Sequence, residues 1–435
     1  MPNLNPNSTN YVHSHEPNTN DLVQAMGYDP YGAPILRIDD TTKQHTSKNR
    51  VKMSGYEIID YATFQYTTQE DVWDTVTSGT AGYTWEEYLR MVELTVGSDV
   101  GDEVIRQTKK VVPYIPGRMN EVSMAVKFGL PSTGVRRRFG IFDDTCGAYF
   151  EDGGDGTYYV VLRRETASGI DEERIAREDW SDDPLDGTGP SGITADPTAI
   201  QMMVIEYEWY GAGQVEFKFV IDNNAYPVHK FNHANREDHT WGNTPFLPIR
   251  VELTNYGGAA GTHTFYQGSH SVLAEGEQSV QGRNNSIANA VTGVTLTTAN
   301  TFYPLVAIRL KSDRLRGIVK PVNFSGATLD NTSIFLRVLE NPTITGGTWV
   351  SYGDDSPVEY NITATGFTGG ESIETVFVPG TNSGSIYSFD ERSITQIGRS
   401  TTTTLGDTSG VILVACAATN ANKKGWGSLS WLTIR

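Results

Sequence analysis

Two glutamates, Glu206 and Glu208, are the residues of this chain best spaced for acid–base work. On an extended strand alternate side chains share a face, so both carboxylates project together while Ile205, Tyr207 and Trp209 take the opposite face. Two carboxyl groups about 5 Å apart are the arrangement with which retaining glycosidases cleave a glycosidic bond. Such a series needs a further acid at the same register, and the next same-face position is Tyr210. The pair therefore reads first as the solvated face of a strand.

Other candidates meet the same test. His229, His233 and His239 form the one histidine cluster, and the first two share a strand face with Phe231. They lack the helical spacing of a zinc protease, so they read as loop and surface histidines. Asp143 and Asp144, and Asp152 with Asp155, supply oxygen ligands of the kind calcium takes, but without the spacing of a calcium loop, and Asp-Gly is hairpin chemistry. Gly187, Gly189 and Gly192 match a dinucleotide-binding spacing. Asp182-Asp183-Pro184 precedes them where a strand is required, and Pro190 sits inside, so a structural loop is expected. Arg136-Arg137-Arg138 is a basic point suited to a salt-bridged protein contact. No cofactor and no metal site is expected.

The elements that must position these residues are strands. In Gln214–Ile221, Val215, Phe217, Phe219 and Ile221 alternate with Glu216 and Lys218, between Gly211-Ala212-Gly213 and Asp222-Asn223-Asn224. That period of two marks a half-buried strand bounded by turns. The pattern recurs through residues 102–274, with strands expected near 103–112, 120–128, 136–142, 157–164, 201–210, 225–231, 248–254 and 262–273. A short helix is expected at Thr84–Met91, where Thr84 would cap and Glu87 follows three residues on. The fold class is all-β: an antiparallel, jelly-roll-like β-sandwich over 51–275, a polar linker over 276–300, and a second C-terminal β-sandwich domain over 301–435. An extended N-terminal arm, residues 1–50, is rich in Asn, Pro, Thr and His. Its scattered apolar residues Tyr11, Leu22, Tyr28 and Tyr31 are the ones expected to make assembly contacts.

Bulk composition narrows the function. The net charge of −18 disfavours a protein that tracks phosphates along nucleic acid. Two cysteines, Cys146 and Cys416, exclude a disulfide framework and read as buried thiols in a reducing compartment. The opening Met1-Pro2-Asn3-Leu4-Asn5-Pro6 lacks the basic and apolar regions of a secretory leader, and the longest apolar run, near Val411, is far short of a membrane span of about 20 residues. A soluble protein, not exported by a cleaved signal, is expected.

Several stretches resemble a widespread family of tailed-bacteriophage virion structural proteins of the head-decoration, collar or tail-fibre type. They are Gly140-Ile-Phe-Asp-Asp-Thr-Cys-Gly-Ala-Tyr-Phe-Glu-Asp152, Leu185-Asp-Gly-Thr-Gly-Pro-Ser-Gly-Ile-Thr194, and Glu206-Tyr-Glu-Trp-Tyr-Gly-Ala-Gly-Gln-Val-Glu-Phe217. Phe231-Asn-His-Ala-Asn235, Leu247-Pro-Ile-Arg-Val-Glu-Leu-Thr-Asn255, Tyr303-Pro-Leu-Val-Ala-Ile-Arg-Leu-Lys311 and Ile318-Val-Lys-Pro-Val322 continue the likeness, over residues 103–325 in all. The resemblance implies a non-enzymatic virion component, assembled in the host cytoplasm and attached through its arm to other head, neck or tail proteins. It would be a homo-oligomer, a trimer first, without nucleic-acid or membrane partners. The alternative is a receptor-recognition module in which Trp180, Trp241 and Tyr256 stack on a host surface glycan. A glycosidase built on Glu206 and Glu208 is the third reading.

Overall fold

In a computed structural model, which describes residues 24–28, 34–38, 56–196, 198–276, 282–380, 384–389, 399–400 and 408–434, the chain is almost entirely antiparallel β-structure. It divides into a small unit, Met1–Ser54, and a large compact one, Gly55–Arg435. Of the small unit only the hairpin Gln24–Tyr28 with Pro34–Ile38 is described. Tyr11, Leu22 and Tyr31 lie outside the described residues, and Tyr28 ends the hairpin's first strand.

The large unit begins with a jelly-roll-like sandwich. One sheet runs in the order Gly169–Ala176, Tyr158–Thr166, Gly147–Asp152, Val135–Phe142, Ile249–Asn255, Asp102–Thr108, Trp73–Ser78. Its partner runs Asn224–Asn232, Gln214–Ile221, Gln201–Tyr207, Asn120–Lys127, His263–Glu275, Met91–Val96, Gly82–Glu86, and Tyr56–Ala62 also pairs with His263–Glu275. The alternation in Gln214–Ile221 is explained: Val215, Phe217 and Phe219 are buried between the sheets. Phe139 and Phe150 stack at 5.3 Å within one sheet, and Phe217 meets the Phe150 edge at 4.9 Å from the other. Aromatic pairs of that geometry add to the roughly 2–3 kcal/mol that burying each ring contributes.

A second sandwich follows. One sheet runs Arg283–Ala288, Lys423–Ile434, Ile318–Ala327, Gly384–Ser388, with Val294–Leu296 also on Lys423–Ile434. The other runs Val350–Ser351, Val358–Asn361, Tyr303–Leu310, Val411–Ala418, Ile334–Glu340, Glu371–Val378. One apolar cluster spans both, with Trp431, Leu429 and Phe324 against Ile308, Leu336 and Val414.

Three sequence expectations change. The segment expected to be a helix, 84–91, is instead a strand, Gly82–Glu86, a turn, and the start of Met91–Val96. Trp85 and Val92 pair across it, Arg90 turns the chain at φ 54°, and the Trp85 indole donates to the Phe64 carbonyl at 2.8 Å. Aromatic and β-branched neighbours outweighed the cap pattern. The expected linker, 276–300, contributes Arg283–Ala288 and Val294–Leu296 to the second sandwich, both paired to Lys423–Ile434. Their small polar residues masked an alternation that places Asn285 and Leu296 inward. Gly147–Asp152 and Gly169–Ala176 are further strands; the first is buried on both faces and so carries no alternation.

The sandwiches meet through Val111, Ile318 and Ile434, with Phe246 and Leu432 packed alongside. Beside this seam Arg316 donates to Asp143 at 2.6 Å. Asp143 also accepts from the backbone N–H groups of Thr145 and Cys146. Burial works to raise the Asp143 pKa, but Arg316 and these donors outweigh it and hold the carboxyl below the usual range. A depressed folded-state pKa contributes stability that is complete above the ordinary Asp value of about 3.9 and is lost as pH falls through the folded value. Arg316→Ala should therefore cost about 1–2 kcal/mol in urea unfolding at neutral pH, discounted because Arg316 is partly in solvent. The difference from wild type should shrink below pH ~4, and an equal difference at all pH values would contradict the assignment.

Candidate functional site

Glu206 lies on the outer face of Gln201–Tyr207, with Ile205 and Tyr207 in the core, but that face is not solvated as expected: Glu206 is buried. Its carboxylate lies 2.6 Å from the Lys218 ammonium, which also meets Glu216 at 3.2 Å, and Glu216 in turn meets Lys230 at 3.0 Å. Burial would lower the Lys218 pKa, yet Glu206 and Glu216 outweigh it and hold the ammonium above its ordinary range. Glu208 follows just beyond the strand, also buried.

Two of the three histidines are buried, and His239 lies partly exposed in a loop as expected. His229 is buried in Asn224–Asn232, its Nδ1 accepting from the Ser181 backbone N–H at 3.1 Å, and burial lowers its pKa. His233 is buried too, with its ring 6.4 Å from that of His239, which pairs with Asp238. Among the described residues no three His, Cys, Asp or Glu side chains are grouped to hold a metal ion. The turn reading of 152–157 holds: Asp152 accepts from the Gly154 N–H and Asp155 from the Thr157 N–H, with Gly154 and Gly156 at positive φ. Around Gly187–Gly192 the chain wraps the Asp183 carboxylate, which accepts from the N–H groups of Leu185 and Ser191. The loop is structural and already holds its anion. Cys146 and Cys416 are both buried and free, and burial pushes the Cys416 thiol up to about 12.

Two of the three aromatics expected to meet a glycan lie in the core. Trp241 is 1% exposed and sets its ring edge against Tyr207. Trp180, 7% exposed, packs on Phe219 and closes a cavity of about 20 Å³ lined also by Phe128, Tyr158 and Gln201. Such a space suits about one water. Tyr256 alone is half-exposed, with its hydroxyl donating to the Gly153 carbonyl at 3.0 Å and the Arg136 guanidinium 5.6 Å from its ring.

The arginine run is used differently from the expected protein contact. Arg137 and Arg138 are buried. Arg137 donates to Asp152 at 2.5 Å at the sheet's inner edge. Arg138 occupies the outer face of the first sheet, with Glu151 and Glu252 as its cross-strand partners on either side. It meets Glu151 at 2.5 Å, Glu252 at 3.4 Å and Glu172 at 3.6 Å, and its guanidinium lies 5.0 Å from the Tyr149 ring. Arg250 meets Glu252 at 2.7 Å and Asp144 at 2.6 Å, Arg163 meets Glu172 at 2.8 Å, and Arg174 pairs with Glu151. Gly140 lets the neighbouring strand approach closely: a Cβ there would stand 2.3 Å from the Ala148 carbonyl oxygen and 2.6 Å from the Tyr149 Cα. Burial would raise the Glu252 pKa, but Arg250 and Arg138 hold it below the usual range. This lattice was visible in sequence only as alternate charges on separate strands, without the register that makes them partners.

No family model and no curated protein matches this chain. Solved structures with similar folds include the CBM2 module of the evolved Dit of Lactobacillus casei BL23 phage J-1, at 10% identity and TM-score 0.34, covering 51% of this chain and 96% of that one. A Bacteroides ovatus GH16 protein from a mixed-linkage glucan locus, in complex with a G4G4G3G product, reaches 10% identity and TM-score 0.33 over 49% of this chain and 100% of its own. The carbohydrate recognition domain of Emp47p reaches 10% and 0.31 over 51% and 97%. The chain is an all-β protein of two antiparallel sandwiches, the first jelly-roll-like.

Removing one partner of a buried ion pair leaves the other charge uncompensated. Glu252→Gln, which strips Arg250 and Arg138 of an anion at once, should lower unfolding free energy by about 3 kcal/mol in urea titration. A loss under about 1 kcal/mol would show that the lattice is not held out of water.

Proposed function

We propose that this protein is a structural component of a tailed-bacteriophage virion, with a binding rather than a catalytic role. The observation that carries this reading is an apolar stripe left open on the first sandwich. On Tyr56–Ala62, Tyr56, Ile58 and Tyr61 are 48%, 58% and 66% exposed, alongside half-buried Leu273 of the neighbouring strand. Tyr66, in the following turn, is exposed as well. Contiguous exposed apolar residues of this kind mark protein contact surfaces. The stripe starts directly after Met1–Ser54 in the chain, the segment proposed to dock on head, neck or tail proteins. The charged faces support the same reading, because their acids are engaged by cations of the same sheet. The resemblance of residues 103–325 to virion proteins supplies the assembly, a homo-oligomer with a trimer as first expectation, formed in the host cytoplasm.

A second reading, recognition of a host glycan, is favoured by one residue: Tyr256 presents a half-exposed ring whose orientation is fixed at its hydroxyl.

Deleting residues 1–54 should leave a protein with unchanged β-sheet circular dichroism and thermal midpoint that is missing from purified particles by immunoblot. Incorporation of the truncated chain at the full-length level would refute the docking role.

A further inference from the structure

The outer faces of the two sandwiches differ in chemistry. On the second, a groove of about 300 Å³ is lined by Asn284, Asn285, Ser286, Asn323, Tyr352 and Ser430, with Val322 its one aliphatic residue. No lining residue is an acid or a base, in a chain whose net charge is −18. Register explains the arrangement. Ser286 is the cross-strand partner of Ser430, and Ser430 that of Asn323, so a row of hydroxyl, hydroxyl and amide crosses three strands. In a neighbouring row Ser428 and Ser325 are partners, with their hydroxyls 2.7 Å apart.

The walls are fixed. The Tyr352 hydroxyl donates to the Ser286 carbonyl at 3.1 Å and accepts from the Ser286 N–H at 3.3 Å. Its ring stands edge-on to buried Trp431, with centroids 4.8 Å apart. Asn285 is anchored inward, its amide donating to the Arg283 carbonyl and to the Thr433 hydroxyl, each at 3.0 Å. Asn284 and Ser286 remain exposed, and Asn323 and Ser430 half-buried.

We propose that this groove binds a neutral oligosaccharide. Serine and asparagine side chains each both donate and accept hydrogen bonds, as sugar hydroxyls do, whereas a carboxylate only accepts and an ammonium only donates. Neighbouring strands lie about 4.8 Å apart, close to the length of one hexose unit, so a glycan laid across them meets a fresh polar group at each residue. A pinned tyrosine ring offers the apolar wall on which a sugar's C–H face rests. An anionic glycan would find no cation among the lining residues. The volume is at the lower end for ligand sites, suited to two or three sugar units with the remainder in solvent.

The test uses the full chain on an array of neutral hexose and N-acetylhexosamine oligosaccharides, with polyuronate oligosaccharides alongside. Retention by at least one neutral series and not by the polyuronates is expected. The Asn284→Ala/Asn323→Ala double variant, with an unchanged thermal midpoint, should bind about tenfold more weakly, the loss expected for two hydrogen bonds. Silence on every neutral series, or binding unaltered in the double variant, would each overturn the proposal. Particle incorporation is read separately, so failure here leaves the virion reading untouched.

Discussion

A guanidinium taken out of water must be compensated where it stands, and Arg138 is the place where this protein meets that requirement most fully. Three glutamates and the Tyr149 ring surround it, on a face whose residues are as buried as many in the core. The desolvation cost of such a group reaches several kcal/mol, and neighbouring carboxylates repay it only in good geometry. That geometry exists in one register. A slip of one residue along Val135–Phe142 would turn Arg138 into the apolar interior and send Phe139 out among the glutamates. The lattice thus adds little as a sum of attractions, yet it makes alternative pairings of the central strands expensive.

The same logic describes how several acids singled out in the sequence are held within the fold. Glu206 faces Lys218, Asp183 is wrapped by its own loop, and Asp143 is saturated by Arg316 and two backbone N–H groups. Each of these three acids has a partner within the fold. Asp143 does more than satisfy itself: it lies in the first sandwich while Arg316 lies just ahead of Ile318–Ala327 in the second, so this contact joins the two beside the Val111, Ile318 and Ile434 seam.

What could be read from sequence followed from how regularly burial alternates. Gln214–Ile221 buries Val215, Phe217 and Phe219 on one side and was legible to its ends. Gly147–Asp152 is buried on both faces, so alternation could not reveal it. Gly82–Glu86 and Met91–Val96 combined a cap-like Thr84 with residues that prefer sheets, and the cap pattern misled. Site residues fared worse for a related reason. An aromatic side chain carries no mark of which way it points, and Trp180 and Trp241 point inward while Tyr256 points out. The amide and hydroxyl row of the second sandwich was hidden further still, because Ser286, Asn323 and Ser430 come from three distant segments that only register brings together.

The contrast between the two outer faces bears on which of them remains open to a ligand. A face built from arginine and glutamate draws its own groups together, since each charge lowers its energy most by meeting an opposite one, and an incoming ligand must compete with bonds already formed. A face of serine and asparagine has no such drive. Its hydrogen bonds to water are exchanged for hydrogen bonds to a ligand at small net cost, and the gain comes from matching several at once on a rigid support. Rigidity is supplied from beneath, by Trp431 against Tyr352 and by the inward amide of Asn285. The charged face of the first sandwich is thereby committed to holding its own sheet in register, whereas the neutral groove of the second has no acid or base in its lining to draw inward.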